Sequence, residues 1–467
     1  MSRKAIWTLA IVSVALFMTT LDNLVVSNAL PSIRTGLGAS VETLQWTVNA
    51  YTLAFAVLLL TGAALGDRFG RRRMFGIGLT VFTGASALAA LAPSVDALIA
   101  ARALQGAGAA LVLPLTLALL SAAVDESKRG LALGIWSGVS GLGVALGPLV
   151  GGAITEGISW QWIFWINVPV GLALVPLARR RLTESFGPDS QLDLVGMALA
   201  GLGLLGVVFG IVRGPDDGWT SGMVLGAIIG GAAFLVAFLA WERRVAEPML
   251  PLRFFRSRAF TATNAVSLAM FFGAFGSIFF LAQFFQVAQG YSPLEAGLRT
   301  LPWTGMPMIV APIAGILSDR IGSRPLMALG LAFQAIAVGW AAVISTPEMA
   351  YGSLIVPLVL GGSGMALVFA PAANAVLGSV RPEEAGKASG ATSAIREVGG
   401  ALGVAVLASV FGSHGSYASP QAYVDGMTAA LPVGAAVLAA GAVMALLVPG
   451  IRRTRVAPAR QLVENPM

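Results

Sequence analysis

GDRFGRRR occupies residues 66–73, and a second copy, SDRIGSRP, occupies residues 318–325. Asp67 and Asp319 stand 252 positions apart, and each polar, basic loop lies between apolar stretches. Those stretches are about 20 residues long, enough to cross a bilayer. Further along, the offset becomes 256 and holds: Gly106, Gly108, Gly134, Gly143 and Gly147 correspond to Gly362, Gly364, Gly390, Gly399 and Gly403. Chance matches are common in a chain of 57 glycines, but five in order beside a duplicated D-R-x-G are not readily chance. The correspondence defines two homologous halves, residues 1–180 and 259–450. Two further apolar stretches lie between them in 181–258, and a basic tail, 451–467, follows.

The whole chain has the same apolar character. Of 467 residues 57% are hydrophobic and 11% charged, with mean hydropathy +0.83. An ordinary soluble domain is about a quarter charged, and a water-soluble globule of this length has no way to hide so much apolar surface. Apolar runs cover 6–30, 43–65, 74–92, 97–121, 130–154, 161–178, 192–212, 219–241, 259–288, 294–317, 326–345, 351–378, 387–412 and 427–449. They are too long for strands and do not alternate as an outer-membrane barrel would. Backbone groups in lipid must be satisfied within each segment, so these runs are expected to be helices. The expected fold is an all-α integral membrane protein of about 14 spans: two six-helix bundles and two additional central transmembrane helices.

Charge sets the expected orientation. Arg3 and Lys4, then Arg68, Arg71, Arg72 and Arg73, then Lys128 and Arg129, fall on alternate connections. The same side receives Arg179 to Arg181, five arginines between 243 and 258, Arg320, Arg324, Arg381, Lys387 and four arginines of the tail. The opposite connections hold only Arg34 and Arg213. The positive-inside rule puts both termini in the cytoplasm. The first apolar run is too long for a signal-peptide core and lacks a clear cleavage site, so it is read as an uncleaved first span. The net charge of +7 is accounted for by these loops rather than by a nucleic-acid partner.

Several function classes are excluded. Without cysteine there are no disulfides, thiolate metal sites or cysteine nucleophiles, and the single histidine, His414, cannot form a relay or cluster. Walker, zinc and nucleophile-elbow patterns are absent, so the chain is not read as an enzyme. No ATP site or cofactor is expected, and an ion gradient must supply the driving force. Repeated halves are how many secondary transporters are built, with the substrate path at their interface.

The motifs sharpen this. The first loop reads L65-G-D-R-F-G-R-R-R73, and its copy G315-I-L-S-D-R-I-G322. The fourth span holds Arg102-A-L-Gln105-Gly106-A-Gly108. The fifth holds Gly134, Gly143, Gly147, Pro148, Gly151 and Gly152, and the sixth reads W160-Q-W-I-F-W-I-N-V-P-V-G171. The first contains T20-L-D22-N-L-V-V-S-N-A-L-P31. Together these resemble the major facilitator superfamily, and more narrowly its 14-helix drug:proton antiporters, along essentially the whole chain. The fifth-span pattern matches the antiporter signature of that family at every fixed position. Departures are Ala63, where the family usually has Gly, and Leu24 and Ser27, where this branch usually has Thr and Asn; here Asn28 comes one place later.

The resemblance implies a proton-coupled exporter of lipophilic, possibly cationic, drugs or antibiotics in a bacterial inner membrane, working as a monomer by alternating access. A dedicated exporter of one endogenous metabolite is the alternative, and an uptake symporter of the same fold a further one. The expected partners are a small-molecule substrate, protons and the lipid bilayer.

Individual residues can be read physically. A carboxylate near the membrane centre costs roughly 2.5–3.5 kcal/mol on insertion scales. Asp22 lies about 12 Å deep at 1.5 Å per residue and is either a proton or cation site, or a structural acid paired with Asn23, Asn28 or a neighbouring helix. Arg102 is expected about 8 Å deep; it either approaches Asp22 in a pair that alternates with a proton, or reaches outward to headgroups. Its counterpart in the repeat is Leu358. Arg396 and Glu397 are neighbours about 15 Å deep. They point about 100° apart on a helix and cannot pair face to face, so each lines a cavity or finds a partner elsewhere. Gly143, Gly147 and Gly151 are four apart and form a face for close helix contact, while Pro148 removes one backbone bond. Asp67, Arg68, Gly70 and Arg71, with Asp319, Arg320 and Gly322, are expected at a cytoplasmic gate whose ion pairs break on rocking. Asn28, Gln45, Asn49, Gln105, Asn264 and Gln283 are polar candidates for the cavity.

Overall fold

In the computed structural model, residues 1–38, 41–125, 128–188 and 192–450 are described. The side chains of Asn28, Gln45 and Pro148, and the whole tail 451–467, lie outside the described set. Every long regular element among the described residues is an α-helix. The first half contributes α1 (Arg3–Leu37), α2 (Val41–Phe69), α3 (Arg71–Ala90), α4 (Val95–Ala123), α5 (Arg129–Gly157), the short α6 (Trp162–Trp165) and α7 (Asn167–Arg181). Then come α8 (Leu194–Asp217) and α9 (Gly222–Glu242). The second half contributes α10 (Arg258–Val287), α11 (Pro293–Thr304), α12 (Met306–Ile321), α13 (Ser323–Ile344), α14 (Gly352–Leu377), α15 (Ala385–His414) and α16 (Pro420–Ala445). Thirteen helical stretches among the described residues are long and apolar enough to cross a membrane. The remaining expected span, 130–154, lies in the 29-residue α5.

Boundaries differ from the sequence reading for local reasons. α1 runs on to Leu37 and ends at Gly38, which takes φ 63° and returns its N–H to the Arg34 carbonyl. The expected span 294–317 is broken between α11 and α12 at Gly305, two residues before Pro307. The expected span 161–178 is likewise two pieces, α6 and α7.

The repeat recurs in packing. Gly70 and Gly322 hold φ of 102° and 87°, left-handed values that turn α2 into α3 and α12 into α13. A Cβ on Gly106 would run into the Tyr51 carbonyl, and one on Gly362 into the carbonyl of Trp303, the residue 252 beyond Tyr51. Gly78 and Gly108 face each other on α3 and α4; Gly330 and Gly364 do so on α13 and α14. Gly143 and Gly147 approach Thr20 and Leu24 of α1, while Gly399 and Gly403 approach Leu268 and Phe272 of α10. Small residues let helix backbones come this close, and dispersion and weak hydrogen bonds then hold helices that lipid cannot drive together.

α8 and α9 pack on each other, with Gly206 and Gly231 at the contact, and α8 also packs on α2 and α15. At one end of this hairpin Asp193 caps α8 by accepting from the Gly196 N–H, and it accepts from Trp241 Nε1 at 2.8 Å. Glu242 accepts from the Leu250 N–H at 3.0 Å. The connection then makes a 3-10 turn, Leu252–Arg256, from which Arg253 pairs with Glu384. Glu384 lies in a second 3-10 turn, Pro382–Glu384, that leads into α15.

Candidate functional site

Three features meet around the middle of the molecule: a buried charge cluster, a cavity, and a sealed seam on the side of the Asp67 loop.

The cluster joins five helices, α1, α2, α3, α4 and α7. Arg102 Nη1 donates to Asp22 Oδ2 at 2.5 Å, and neither side chain is exposed. The other carboxylate oxygen accepts from Gln105 Nε2 at 3.0 Å and from Asn167 Nδ2 at 2.7 Å. Arg102 also donates from Nε to the Thr47 carbonyl and from Nη1 to Gln105 Oε1, while Gln105 donates to Ser86 Oγ. The guanidinium lies 4.3 Å from the centre of the Tyr51 ring. The i, i+3 spacing of Arg102 and Gln105 puts both on one face of α4, aimed at α1. Of the two readings of Arg102, the structure shows the pair with Asp22.

The repeat makes the cluster informative. By the packing registers above, Asp22, Ser86, Arg102 and Gln105 correspond to Met270, Val338, Leu358 and Gly361. Met270, Val338 and Leu358 are fully buried core residues. One half thus fills this place with charge and the other with hydrocarbon.

The cavity encloses about 140 Å³. One wall carries Ser137, Ser140 and Gly141 of α5, and another carries Ser393, Arg396 and Glu397 of α15. These are the same three positions of the two halves, 256 apart. Pro307, beside the break between α11 and α12, lines it opposite Gly141. Trp136, Phe369, Phe271 and Phe275 form a run of rings with successive centroids 5.9, 6.0 and 4.8 Å apart. Tyr51 lines the cavity too, so its ring stands between the cavity and Arg102. Asp22 does not line it. Arg396 and Glu397 form no ion pair with each other, as their neighbouring positions on a helix require.

On the Asp67 side the halves touch. Arg71, itself buried, donates from Nε to Asp67 Oδ1 at 2.7 Å and from Nη2 to the Glu383 carbonyl at 2.5 Å. The Asp67 carboxylate lies against Gly386 in the first turn of α15, where the helix dipole favours negative charge. Lys387 donates to the Pro248 carbonyl at 2.5 Å, and Arg253 and Arg381 both reach Glu384. Between α5 and α12, a Cβ on Gly134 would lie 2.7 Å from the Ala311 carbonyl oxygen. Glu184 accepts from the Arg72 and Arg73 N–H groups at the start of α3 and occupies the space a Cβ on Gly70 would need.

Arg71→Gln is expected to loosen this seam. A charge-assisted hydrogen bond contributes about 1.5–3 kcal/mol, so a cysteine placed at Ser137 should label roughly tenfold faster with a membrane-impermeant maleimide from the Asp67 side. The chain has no cysteine of its own, so the labelling has no background. An unchanged rate would show that Arg71 does not hold the seam.

Other expected residues fall elsewhere. Arg68 is exposed and stacks on Phe69 rather than joining the gate. Asp319 is an exception: though exposed, its carboxylate lies against Gly130 in the first turn of α5 of the other half, the counterpart of Gly386, and accepts from Asn374 Nδ2 at 3.1 Å, while Ser323 stands where the first copy has Arg71. Arg320 is exposed beside it. Gln105 belongs to the charge cluster, not the cavity. Asn264 is buried and bonds back to the Phe260 carbonyl of its own helix. Gln283 accepts from Tyr417, away from the cavity, and Asn49 does not line it. The glycine signature of α5 divides between contacts: Gly134 meets α12, Gly143 and Gly147 meet α1, and a Cβ on Gly152 would lie 3.5 Å from Leu294 of α11. Asn28, Gln45 and Pro148 fall outside the described side chains. The sequence reading missed Asn167 as the partner of Asp22 and Trp136, Phe271 and Phe369 as cavity walls.

A cavity between two repeated sets of membrane-crossing helices is the arrangement of a secondary transporter. A family model described as Major Facilitator Superfamily matches residues 12–404, and the chain belongs to that superfamily. It is a multi-pass membrane transporter of small molecules and not an enzyme. Among its relatives are Multidrug resistance protein Stp of Mycobacterium tuberculosis (strain CDC 1551 / Oshkosh), 36% identical over 88% of this chain and 76% of that protein; Cephamycin export protein CmcT of Amycolatopsis lactamdurans, 39% identical over 88% and 86%; and Puromycin resistance protein pur8 of Streptomyces alboniger, 36% identical over 94% and 90%. Among solved structures, the human organic anion transporter MFSD10 (TETRAN) superposes with a TM-score of 0.68 at 15% identity, covering 95% of this chain and all of that one. At that identity the likeness is one of fold.

Proposed function

We propose that the protein exports lipophilic drugs or antibiotics across the bacterial cytoplasmic membrane in exchange for protons, by alternating access. The observation that carries this reading is the buried Asp22–Arg102 pair beside the cavity, set against hydrocarbon at the equivalent place in the other half. Well-packed apolar residues often serve stability as well as a buried ion pair does, so a pair kept on one side only has a role beyond packing. Protonation of Asp22 takes away the counter-charge of Arg102. Arg102 then shifts against Tyr51, and cargo on the far side of that ring meets an altered wall. Glu397 is a second buried carboxyl, this one lining the cavity, and is able to join the proton path. The broken span at Gly305 and Pro307 gives the second half a place to bend.

With both termini cytoplasmic, as the positive-inside rule expects, the Asp67 seam faces the cytoplasm and its opening admits cargo from inside. Protons entering from outside then favour release outward. The names of Stp, CmcT and pur8, which refer to resistance or export, support this direction.

The test is pumping in everted membrane vesicles containing the intact chain. Collapsing the pH difference with nigericin in potassium medium is expected to stop accumulation of a fluorescent lipophilic substrate. Undiminished accumulation after the collapse would overturn proton coupling. A dedicated exporter of one compound is the second reading, favoured by a relative named for cephamycin alone; a resistance panel in a sensitive host separates the two by its breadth.

A further inference from the structure

The cavity contains a charged group that the proton cycle above does not use. Arg396 is 4% exposed, and its guanidinium lies 4.7 Å from the centre of Phe369 and 5.6 Å from that of Phe271. Its Nε and Nη2 have no hydrogen-bond partner among the described residues. Those two nitrogens form one edge of the guanidinium, the edge a carboxylate engages with both oxygens at once. A buried arginine without a counter-ion is costly, and the fold does not require one here, since the equivalent residue in the other half is Ser140. Glu397 acts on it through space, but the two make no ion pair or hydrogen bond, so the Nε–Nη2 edge stays open. The two groups also differ in permanence. A guanidinium stays charged at any pH the cell meets, whereas a proton can remove the charge of Glu397, so the lasting charge of the cavity is positive.

Resting on the export reading above, we infer that the cargo is a flat aromatic compound bearing an acidic oxygen group, a carboxylate or an ionised phenol, and that Arg396 is its docking point. The acidic group takes the Nε–Nη2 edge. The aromatic part lies along the rings of Phe369, Phe271 and Trp136. The guanidinium, already stacked on two of these rings, is held in place before the cargo arrives, so little side-chain freedom is lost on binding. On this inference the cargo is anionic rather than cationic, since a cation near Arg396 would be repelled by a charge that cannot be discharged.

The experiment is binding to the purified full-length protein in detergent, followed by tryptophan fluorescence, with three probes that share one ring system. These are 2-naphthoate, 2-naphthamide and 2-naphthylmethylammonium. The acid is expected to bind at least about tenfold more tightly than either of the others, the factor that about 1.4 kcal/mol provides, and in Arg396→Gln the acid and the amide are expected to bind alike. Equal binding of acid and amide, tighter binding of the amine, or an acid preference that survives Arg396→Gln would each overturn the inference. The wild-type series decides the matter even if the variant misfolds. Movement of the same probes in everted vesicles keeps the two readings apart: selective binding without transport sinks the export reading alone, and transport without acid preference sinks the docking point alone.

Discussion

Asp22→Asn is expected to abolish gradient-driven export at wild-type expression. The amide cannot take up and release a proton, and it leaves Arg102 without a counter-charge at a place with no exposure. Removing one partner of a buried pair costs about 3–5 kcal/mol, so the variant is also expected to melt at lower temperature. That second effect would obscure the first. The control is the double variant Asp22→Asn, Arg102→Met, which replaces the stranded cation with an apolar side chain of the kind the other half carries as Leu358. The double variant should regain most of the lost thermal stability without regaining proton-coupled transport. Gradient-driven export at the wild-type rate in Asp22→Asn would remove that carboxyl from the mechanism. Export restored in the double variant would reduce the pair to packing.

Gly134→Val is expected to reduce transport to background while the protein still folds and inserts. A Cβ at this position would meet the Ala311 carbonyl oxygen at 2.7 Å and Pro312 Cα at 2.8 Å, and backbone cannot move aside as a flexible side chain would. The clash exists only while α5 and α12 are closed on each other, so the state open on the Asp67 side should tolerate it. A cysteine at Ser137 should then label readily from that side and lose its response to substrate. Gly147→Val makes a useful contrast. Its new Cβ would meet Leu24 Cβ at 2.6 Å, on a helix of its own half, and it should perturb the first bundle rather than the seam. If Gly134→Val transports normally, the seam is not closed during the cycle in the way this geometry requires.

Much of this arrangement was legible in the sequence, for identifiable reasons. Charges in lipid are costly, so Asp22 and Arg102 stand out wherever they fall, and their similar depths suggested the pair that is observed. The repeat offset was readable because glycines at helix contacts tolerate nothing larger; Gly78 with Gly108 and Gly330 with Gly364 are the same contact made twice. Arg396 and Glu397 were legible as cavity residues, but the cavity's aromatic walls were not. In a chain apolar on every helix face, Trp136, Phe271 and Phe369 look no different from Phe284, which is buried in the core. Amide side chains mislead for a related reason: Asn264 turns its Nδ2 back to the Phe260 carbonyl of its own helix, a contact that the spacing of residues does not announce. The difference between Asp67 and Asp319 was present in the sequence as Arg71 against Ser323. Its meaning appeared only when Arg71 was seen to reach across to Glu383.

The short turn at residues 382–384 ties together parts of the chain that are far apart in sequence. Arg71 holds it from the first half, and Arg253 holds it from the strap that follows the inserted α8–α9 hairpin. Because one tether cannot strain this turn without loading the other, the extra pair of helices is mechanically in series with the Asp67 seam. Lateral pressure or bilayer thickness acting on that hairpin therefore has a route by which to bias which face of the membrane the transporter is open to.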